Sequence, residues 1–330
     1  AHGGSYISHI RGESDQLLDA IEELLTIGRR SGARVQAYHL KASGQRNWDK
    51  GAKVLARLDA ARKAGIDVSA NCYTYTAAAT GLDASMPLWV QQGGRDKWIA
   101  RLKDPATRVK VLDEMRGDPV GWDNTYRNAG SPENVLLLGF DNPALKPLTG
   151  KSLAEVSKMR GTSPEDTMID LVIEDGSRVD TAYFTMSEDN LKANLAWKWT
   201  MLGSDAASMA PEGKFLARST HPRAYGTFAR FLGRYVRDQK VMGLSEGIRR
   251  LTSLPAKQIG LRGRGRLAPG YAADVVVFDP ARIQDHATFD KPHQYATGVS
   301  DVLVNGTAVL RGGVLVRLVE GGVILDPGGI

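Results

Sequence analysis

The chain has 330 residues, 42% of them hydrophobic, so it is long enough and apolar enough to bury a large core. Its net charge of +6 is the small difference between 43 basic and 37 acidic residues, and its one basic turn, "GLRGRGRLAPG", lacks the interleaved aromatic residues of a nucleic-acid site. No apolar run approaches the roughly 20 residues of a membrane span, and the single cysteine, Cys72, excludes an intrachain disulfide. We therefore expect a globular protein that binds neither nucleic acid nor membrane.

Residues 4 to 75 alternate between strand and helix patterns, which is typical of βα units around a parallel sheet. A strand in "SYISH" is followed by a helix in "SDQLLDAIEELLTIGRRSG", with Ser14 or Asp15 as its cap and Gly32 at its end. The strand "ARVQAYH", the helix "DKGAKVLARLDAARKAG" and the strand "IDVSANCYTY" follow. The residues that we predict to face the sheet are Leu17, Leu18, Ile21, Leu24, Leu25 and Gly28 in the first helix, and Val54, Leu55, Leu58 and Ala61 in the second.

The alternation of strand and helix patterns stops after residue 75. Residues 76 to about 134 are punctuated by Gly, Trp and Pro and predict a long excursion over a site, with one helix at about 104–115. Regular units then return: the strand "NVLLLGF", a helix capped by Ser163, the strand "TAYFTM", a helix starting at Ser187 and the strand "TMLGSD". Two helices follow, and short strands broken by Gly and Pro begin near residue 267. We predict a barrel portion at 1–266, with an insertion at 76–134, and a β portion at 267–330.

Polar side chains stand at the carboxyl ends of the predicted parallel strands, which form the active face of βα architectures. These residues are His9, His39, Tyr73 and Asp205. Neighbouring strands lie about 5 Å apart, so two imidazoles at their ends can share one zinc ion. One such histidine alone is more often a hydrogen-bonded group than a ligand, and Asp205 is equally consistent with a helix cap. Two histidines at successive strand ends, with an aspartate at a later one, favour a metal site.

Six sequence blocks occur in an order that characterises one enzyme family. The blocks are "YISHIRGE", "HLKASGQRNW", "NCYTYTAAATGLDA", "GSDAAS", "HPRAYGTFARFLGRYVRD" and "GRGRLAPGYAADVVVFDP". They resemble the motifs of the N-acyl-D-amino-acid deacylases, or D-aminoacylases, of the amidohydrolase superfamily, over nearly the whole chain. The resemblance implies an α/β fold, a (β/α)8 TIM barrel of the metal-dependent amidohydrolase type with a small C-terminal β-sandwich portion. It also implies that the chain begins at the fifth barrel strand and holds the C-terminal half of the barrel.

The resemblance also implies roles for individual residues. His9 and His39 match the two zinc-binding histidines after the fifth and sixth strands, with one or two zinc ions as the cofactor. Asp205 matches the aspartate after the eighth strand, which in the family is the general base and can contact a second metal ion, while Tyr73 and Arg223 match the residues that hold the substrate's α-carboxylate. The implied partner is a small-molecule N-acyl-D-amino acid, hydrolysed by a metal-activated water to a carboxylate and a free D-amino acid.

Residues beside these positions receive structural interpretations. We expect Arg11 and Glu13 to pair with each other or to position His9, with positioning favoured over direct catalysis. Lys41 is expected to be structural, and His221 to form a hydrogen bond within its loop. Trp89, Trp98 and Trp122 are equally consistent with an apolar lid over the substrate and with ordinary packing.

The chain departs from the family pattern in several places. The family's first strand ends in His-X-His and a later strand supplies a bridging ligand, and neither motif occurs in these 330 residues. Asn71 replaces the usual aspartate, Thr74 replaces a proline, and Ala79 replaces a serine of some members. Two alternatives stay open at this point. One is a cyclic-amide hydrolase resembling dihydropyrimidinase or hydantoinase, against which the arginine of "HPR" argues, and the other is a non-catalytic remnant.

Overall fold

A computed structural model describes residues 3–316 of the chain. The chain divides into two compact units, the first reaching to Phe228 and including His286–Tyr295, and the second comprising Ala229–Asp285 and the residues from Ala296 onward. The strands, in chain order, are β1 (Ser5–Ser8), β2 (Arg34–Ala37), β3 (Val68–Cys72), β4 (Ala78–Gly81), β5 (Val135–Gly139), β6 (Asp180–Tyr183), β7 (Thr200–Leu202), β8 (Val275–Phe278), β9 (Val299–Val304), β10 (Thr307–Arg311) and β11 (Val314–Leu315).

The helices connect these strands and cover the parallel sheet of the first unit. In chain order they are α1 (Leu17–Ser31), α2 (Lys50–Lys63), α3 (Arg95–Lys103), α4 (Pro105–Arg116), α5 (Thr125–Ala129), α6 (Leu153–Arg160), α7 (Pro164–Asp175), α8 (Glu188–Ala196), α9 (Arg223–Arg230), α10 (Leu244–Leu251) and α11 (Ser253–Ile259). A π-helical segment, Phe231–Asp238, continues α9. None of the helices within residues 3–316 has the length and apolar character that crossing a bilayer requires.

Four parallel strands in the order β1-β2-β3-β7 form the sheet that the sequence predicts from its βα units. Helices α1 and α2 pack against it through their apolar stripes, and the predicted positions are buried except Leu18 and Leu55, which are partly buried. Gly32 ends α1 in a left-handed conformation with φ of 68°, as predicted. The predicted cap was wrong, because α1 begins after Gln16 and the Ser14 hydroxyl bonds to Asp123 instead.

The middle of the chain forms a second sheet that the sequence did not predict. Strands β4, β6 and β5 pair antiparallel in that order, so β5 and β6 do not extend the parallel sheet as further βα units. An apolar pattern of period two specifies a strand but neither its partner nor its direction, which explains the error. The caps Ser163 of α7 and Ser187 of α8 are confirmed, since each side-chain oxygen accepts backbone N–H groups of the first turn.

The excursion at 76–134 is more regular than its composition suggests. The helix expected near residues 104–115 is α4, but β4, α3 and α5 also lie in this segment. Trp98 is 4% exposed within a core shared with α7, and Trp89 packs against the same core. Trp89 and Trp98 therefore take part in ordinary packing, which was one of the two interpretations. Trp122 lines a surface cavity together with Trp89.

The second unit contains α10, α11 and an antiparallel sheet in the order β11-β10-β9-β8. The short strands expected after residue 267 are therefore present. The part of the predicted β portion from residue 317 onward lies outside the described residues. The proposed domain boundary at 266/267 stays a prediction. The two compact units are divided elsewhere. The first unit ends at Phe228 and also contains His286–Tyr295.

We expect Leu58→Ala to lower the free energy of unfolding by about 2–5 kcal/mol, because Leu58 is fully buried between α2 and the sheet and its removal leaves a cavity. Urea denaturation measures the change. Lys53→Ala on the same helix is the control, since Lys53 forms an exposed ion pair with Asp49, and it should leave the stability nearly unchanged. Equal losses in the two variants would contradict the packing described here.

Candidate metal centre and substrate site

The parallel sheet brings the four predicted strand-end residues to one edge. His9 directly follows β1 and Tyr73 directly follows β3. His39 lies two residues beyond β2, and Asp205 lies three residues beyond β7. Because all four strands run in the same direction, their carboxyl ends meet at this edge, where βα folds carry their active sites.

The two histidines are in direct contact. Nδ1 of His9 lies 3.2 Å from Nε2 of His39, and the ring centroids are 4.9 Å apart. Zinc binds imidazole nitrogen at about 2.0–2.1 Å, so two such nitrogens on one tetrahedral ion stand about 3.3 Å apart. The observed separation fits a pair of ligands to one ion. His9 is exposed whereas the His39 side chain is only 11% exposed, so one imidazole is open to solvent and the other is held within the fold.

Glu13 and Lys41 complete this cluster, which we call the histidine cluster: His9, Glu13, His39 and Lys41. The Glu13 carboxylate lies 2.9 Å from Nδ1 of His39, 3.5 Å from Nδ1 of His9 and 2.6 Å from Nζ of Lys41. Potential ligand atoms of His9, Glu13 and His39 all lie within 4.8 Å of one another. A carboxylate on the second nitrogen of a ligating histidine fixes the tautomer and orientation of the ring. Glu13 therefore serves to orient His39.

Lys41 and Glu13 form a buried ion pair. Their side chains are 5% and 12% exposed. Burial alone would raise the pKa of Glu13, but the positive charge of Lys41 and the hydrogen bond from His39 outweigh it and lower this pKa to about 2. Burial alone would lower the pKa of Lys41, and the charge of Glu13 reverses that effect and raises it. Both groups are consequently charged at neutral pH, and their charges compensate each other beside the imidazoles.

A left-handed backbone conformation turns His39 out of the line of its strand. His39 has φ of 33°, which costs energy in a residue other than glycine. Its N–H donates to Oδ1 of Asn71 at 2.6 Å, and the N–H of Leu40 donates to the Asn71 carbonyl at 2.8 Å. Asn71, noted in the sequence only as a departure from the family pattern, thus holds the turn that presents His39.

The insertion reaches back to the histidine cluster through Asp123. Its carboxylate accepts the backbone N–H of Glu13 at 2.7 Å and the hydroxyl hydrogen of Ser14. The N–H of Ser43 donates to the Glu13 carbonyl at 2.7 Å. Glu13 is therefore fixed from both sides, and Asp123 was missed in the sequence because it lies 110 residues from Glu13 in an apparently irregular segment.

Asp205, Arg223 and Tyr73 form a second group, which we call the arginine cluster. Nη2 of Arg223 lies 2.9 Å from Oδ2 of Asp205 in an ion pair, and the guanidinium carbon lies 4.5 Å from the centroid of the Tyr73 ring. The Arg223 side chain is 7% exposed, and its Nε–H is buried without a hydrogen-bond partner among the described residues. A buried donor without an acceptor is costly, so an acceptor bound beside Arg223 would be stabilised. Asp205 has φ of 49°, the second left-handed residue at this edge.

The two clusters share one electrostatic environment. The negative charge of Asp205 contributes to the raised pKa of Lys41 in the histidine cluster. Burial is the largest cause of the raised pKa of Tyr73 in the arginine cluster, and the charge of Asp205 adds to it. Among the described residues, however, the group with metal-ligand spacing contains His9, Glu13 and His39 and does not include Asp205. The structure thus brings His9 and His39 together as expected, and it places Asp205 on Arg223.

A cavity of about 290 Å³ opens beside the arginine cluster. Its lining includes Asp205, Arg223, Ala79, Thr80 and Thr181, together with small residues that follow Asp205. The cavity offers space for a small organic group next to the guanidinium.

Two structural expectations are resolved by these contacts. Arg11 pairs with Glu23 at 2.6 Å, so the expected pair between Arg11 and Glu13 is wrong. Glu13 lies 2.9 Å from His39 and 3.5 Å from His9, and its role in positioning His9 stays a prediction. His221 is buried and hydrogen-bonded within the fold, as expected of a residue that is not a ligand.

The parallel sheet with paired histidines at its carboxyl edge, joined to antiparallel β structure, has the architecture of the amidohydrolase-type TIM barrel. A model of the amidohydrolase family matches residues 99–310, and the chain belongs to that family. It is 32% identical to an N-acyl-D-glutamate deacylase and 33% identical to a D-aminoacylase, both of Alcaligenes xylosoxydans xylosoxydans. Each alignment covers 94% of this chain and 52% of the relative, so the chain spans about half the length of these proteins.

Two solved structures of related enzymes superimpose on this chain. The N-acyl-D-glutamate deacylase from Bordetella bronchiseptica, complexed with zinc and a phosphonate inhibitor, superimposes with a TM-score of 0.72 at 30% identity, over 92% of this chain and 52% of that one. A D-aminoacylase structure superimposes with a TM-score of 0.73 at 31% identity, over 96% of this chain and 55% of that one. The predicted resemblance and the predicted fold class are confirmed.

We expect Glu13→Gln to destabilise the metal-free protein by about 3 kcal/mol at neutral pH, because it leaves the Lys41 charge buried and uncompensated. The folded-state pKa of Glu13 lies below its ordinary value, so the stabilisation is present above pH 4.5 and is lost as the pH falls towards 2. Urea denaturation of both proteins with EDTA at a series of pH values measures this.

The difference between wild type and Glu13→Gln should therefore shrink with falling pH. Glu23→Gln is the matched control, since it removes the same charge from the exposed pair with Arg11 and should leave the stability nearly unchanged. A difference for Glu13→Gln that is constant across the acid range would contradict the assigned ion pair.

Proposed function

We propose that the protein catalyses zinc-dependent hydrolysis of the amide bond of N-acyl-D-amino acids, releasing a carboxylate and a free D-amino acid. The observation that carries this proposal is the 3.2 Å approach of two imidazole nitrogens at the sheet edge that also holds the Asp205–Arg223 pair. The relatives named above are deacylases of N-acyl-D-amino acids, which supports the same substrate class.

His9 and His39 are proposed to hold the metal. Their nitrogens have the spacing of neighbouring zinc ligands, and the Glu13 carboxylate on Nδ1 of His39 leaves Nε2 of that ring for the ion. Zinc, when bound, polarises the substrate carbonyl and makes a water acidic enough to attack near neutral pH. We propose one or two ions, as in the family.

Asp205 is proposed as the general base. Its Oδ2 forms an ion pair with Arg223, and its side chain is 38% exposed, so the carboxylate is accessible to a water or a metal ion. Asp205 accepts a proton from the attacking water as the new carbon–oxygen bond forms. It then returns the proton to the amide nitrogen as the carbon–nitrogen bond breaks, so the D-amino acid leaves as a neutral amine. Contact of Asp205 with metal is part of the same proposal.

Arg223 and Tyr73 are proposed to hold the substrate's α-carboxylate. The guanidinium presents planar donors that suit a carboxylate, and its buried Nε–H lacks an acceptor among residues 3–316. The Tyr73 ring supports the guanidinium from one face. The ion pair with Asp205 keeps the carboxylate-binding arginine next to the proposed base, so substrate orientation and proton transfer are coupled.

We expect His39→Ala to lower the affinity of the protein for zinc by at least about tenfold, because it removes the better-buried imidazole of the pair. Competition with a fluorescent chelator measures the dissociation constant without any need for catalysis. His286→Ala is the control, since His286 is an exposed histidine outside the histidine cluster. Equal zinc affinity in the wild type and His39→Ala would remove His39 from the proposed ligand set.

We expect Asp205→Asn to lower kcat by about 10²–10⁴ while zinc content stays at the wild-type level, because the amide keeps the shape of the carboxylate beside Arg223 but no longer takes a proton. Activity is measured on the full-length protein with N-acetyl-D-methionine, and zinc by atomic emission. Turnover within about threefold of the wild type would exclude Asp205 as the base.

The experiment that tests the function compares N-acetyl-D-methionine with hydantoin as substrates of the full-length wild type. The proposal expects hydrolysis of the linear amide and little or none of the cyclic one. Hydrolysis of hydantoin alone would favour a cyclic-amide hydrolase, and hydrolysis of neither by zinc-loaded protein would favour a non-catalytic remnant.

A further inference from the structure

His221 bonds to fixed partners on both sides of its ring. It is 3% exposed and lies two residues before Arg223. Its Nε2 lies 2.9 Å from the carbonyl oxygen of Ala77, and its Nδ1 lies 3.0 Å from the backbone nitrogen of Arg223. A carbonyl only accepts and a backbone N–H only donates, so the hydrogen must sit on Nε2 and the lone pair on Nδ1. The two partners fix a single neutral tautomer.

Burial keeps this imidazole neutral. Burial is the largest cause that lowers the pKa of His221, and the nearby positive charge of Arg223 is the second. Together they lower this pKa to about 3. His221 is therefore not a proton carrier at neutral pH. It acts as a neutral bridge between the segment before β4 and the start of α9.

Aromatic rings enclose the bridge. The ring of Phe289 meets that of His221 edge-on with centroids 4.9 Å apart, and Tyr75 does so at 5.4 Å. Tyr73, whose ring supports the Arg223 guanidinium, lies 6.1 Å from the same imidazole. These contacts leave the imidazole one orientation, which sets the position of Nδ1.

A side-chain contact also holds the backbone of Arg223 at its carbonyl. The Thr227 hydroxyl donates to the Arg223 carbonyl at 2.8 Å, within the first turn of α9. The Arg223 N–H lies at the helix start, where N–H groups have no partner inside the helix. His221 is the acceptor for this N–H, so it sets where the Arg223 side chain leaves the backbone.

We propose that His221 is a positioning residue that fixes the backbone of Arg223 and so places its guanidinium for the substrate's α-carboxylate. The inference rests on the proposed function and goes beyond it, because it gives a role to a residue that is neither a proposed metal ligand nor a proposed carboxylate-binding group. A purely structural histidine would affect all substrates alike, whereas this role affects those that carry an α-carboxylate.

The test compares N-acetyl-D-methionine with its carboxamide, N-acetyl-D-methioninamide, as substrates of the full-length protein. His221→Phe keeps a ring of similar shape and removes both hydrogen bonds. We expect the preference for the carboxylate, measured as the ratio of the two kcat/KM values, to fall by about tenfold through a rise in KM for the carboxylate substrate. Zinc content should stay unchanged.

His221→Asn is the conservative variant. Its Oδ1 sits where Nδ1 of the imidazole sits and can accept the N–H two residues on, as in an Asx turn. We expect its preference ratio to lie within about threefold of the wild type. This variant keeps the inference testable if circular dichroism shows that His221→Phe does not fold, because a tenfold loss in His221→Asn would then overturn it.

The outcomes separate the two proposals. A wild type that hydrolyses neither substrate overturns the proposed function and, with it, the inference. A wild type that prefers the carboxylate while His221→Phe, correctly folded, keeps the same ratio overturns the inference alone. Loss of the ratio in His221→Phe together with its retention in His221→Asn supports the positioning role.

Discussion

The parallel register between β1 and β2 is the constraint on which the site depends. Ser8 pairs with Ala37, so β1 and β2 end side by side and the residues that follow them lie at the same edge of the sheet. His9 follows at once, whereas His39 comes one residue later and is turned by its left-handed backbone until the imidazoles meet. A slip of one residue in this pairing would send alternate side chains to opposite faces and separate the histidines.

Charge compensation governs the chemistry available at this edge. The buried Glu13–Lys41 pair carries no net charge, so it can orient an imidazole without filling the position of a metal ligand. Asp205 and Arg223 form a second compensated pair, which is more open to solvent on the aspartate side. Under the proposed function, a zinc ion and a carboxylate substrate would add opposite charges beside these two pairs.

The segments that hold the site come from distant parts of the chain. Asp123, from the insertion, fixes the backbone of Glu13, and Ala77, at the start of the same insertion, accepts from His221. The insertion is thus more than a cover over the sheet, because it positions both the histidine cluster and the arginine cluster. The insertion packs into a core that it shares with α7, and the buried Trp98 is part of that core.

Local pattern in the sequence was sufficient for α1, α2 and the strand ends that carry His9 and His39, since helical spacing and period-two alternation depend only on near neighbours. The roles of Asp205 and Arg223 came from resemblance to a family. Tertiary structure alone decided that β5 and β6 form an antiparallel sheet, that Glu13 contacts His39 instead of Arg11, and that Asp205 lies on Arg223. Those contacts join residues far apart in the chain, and no local period encodes which distant partner a strand or a charge will find.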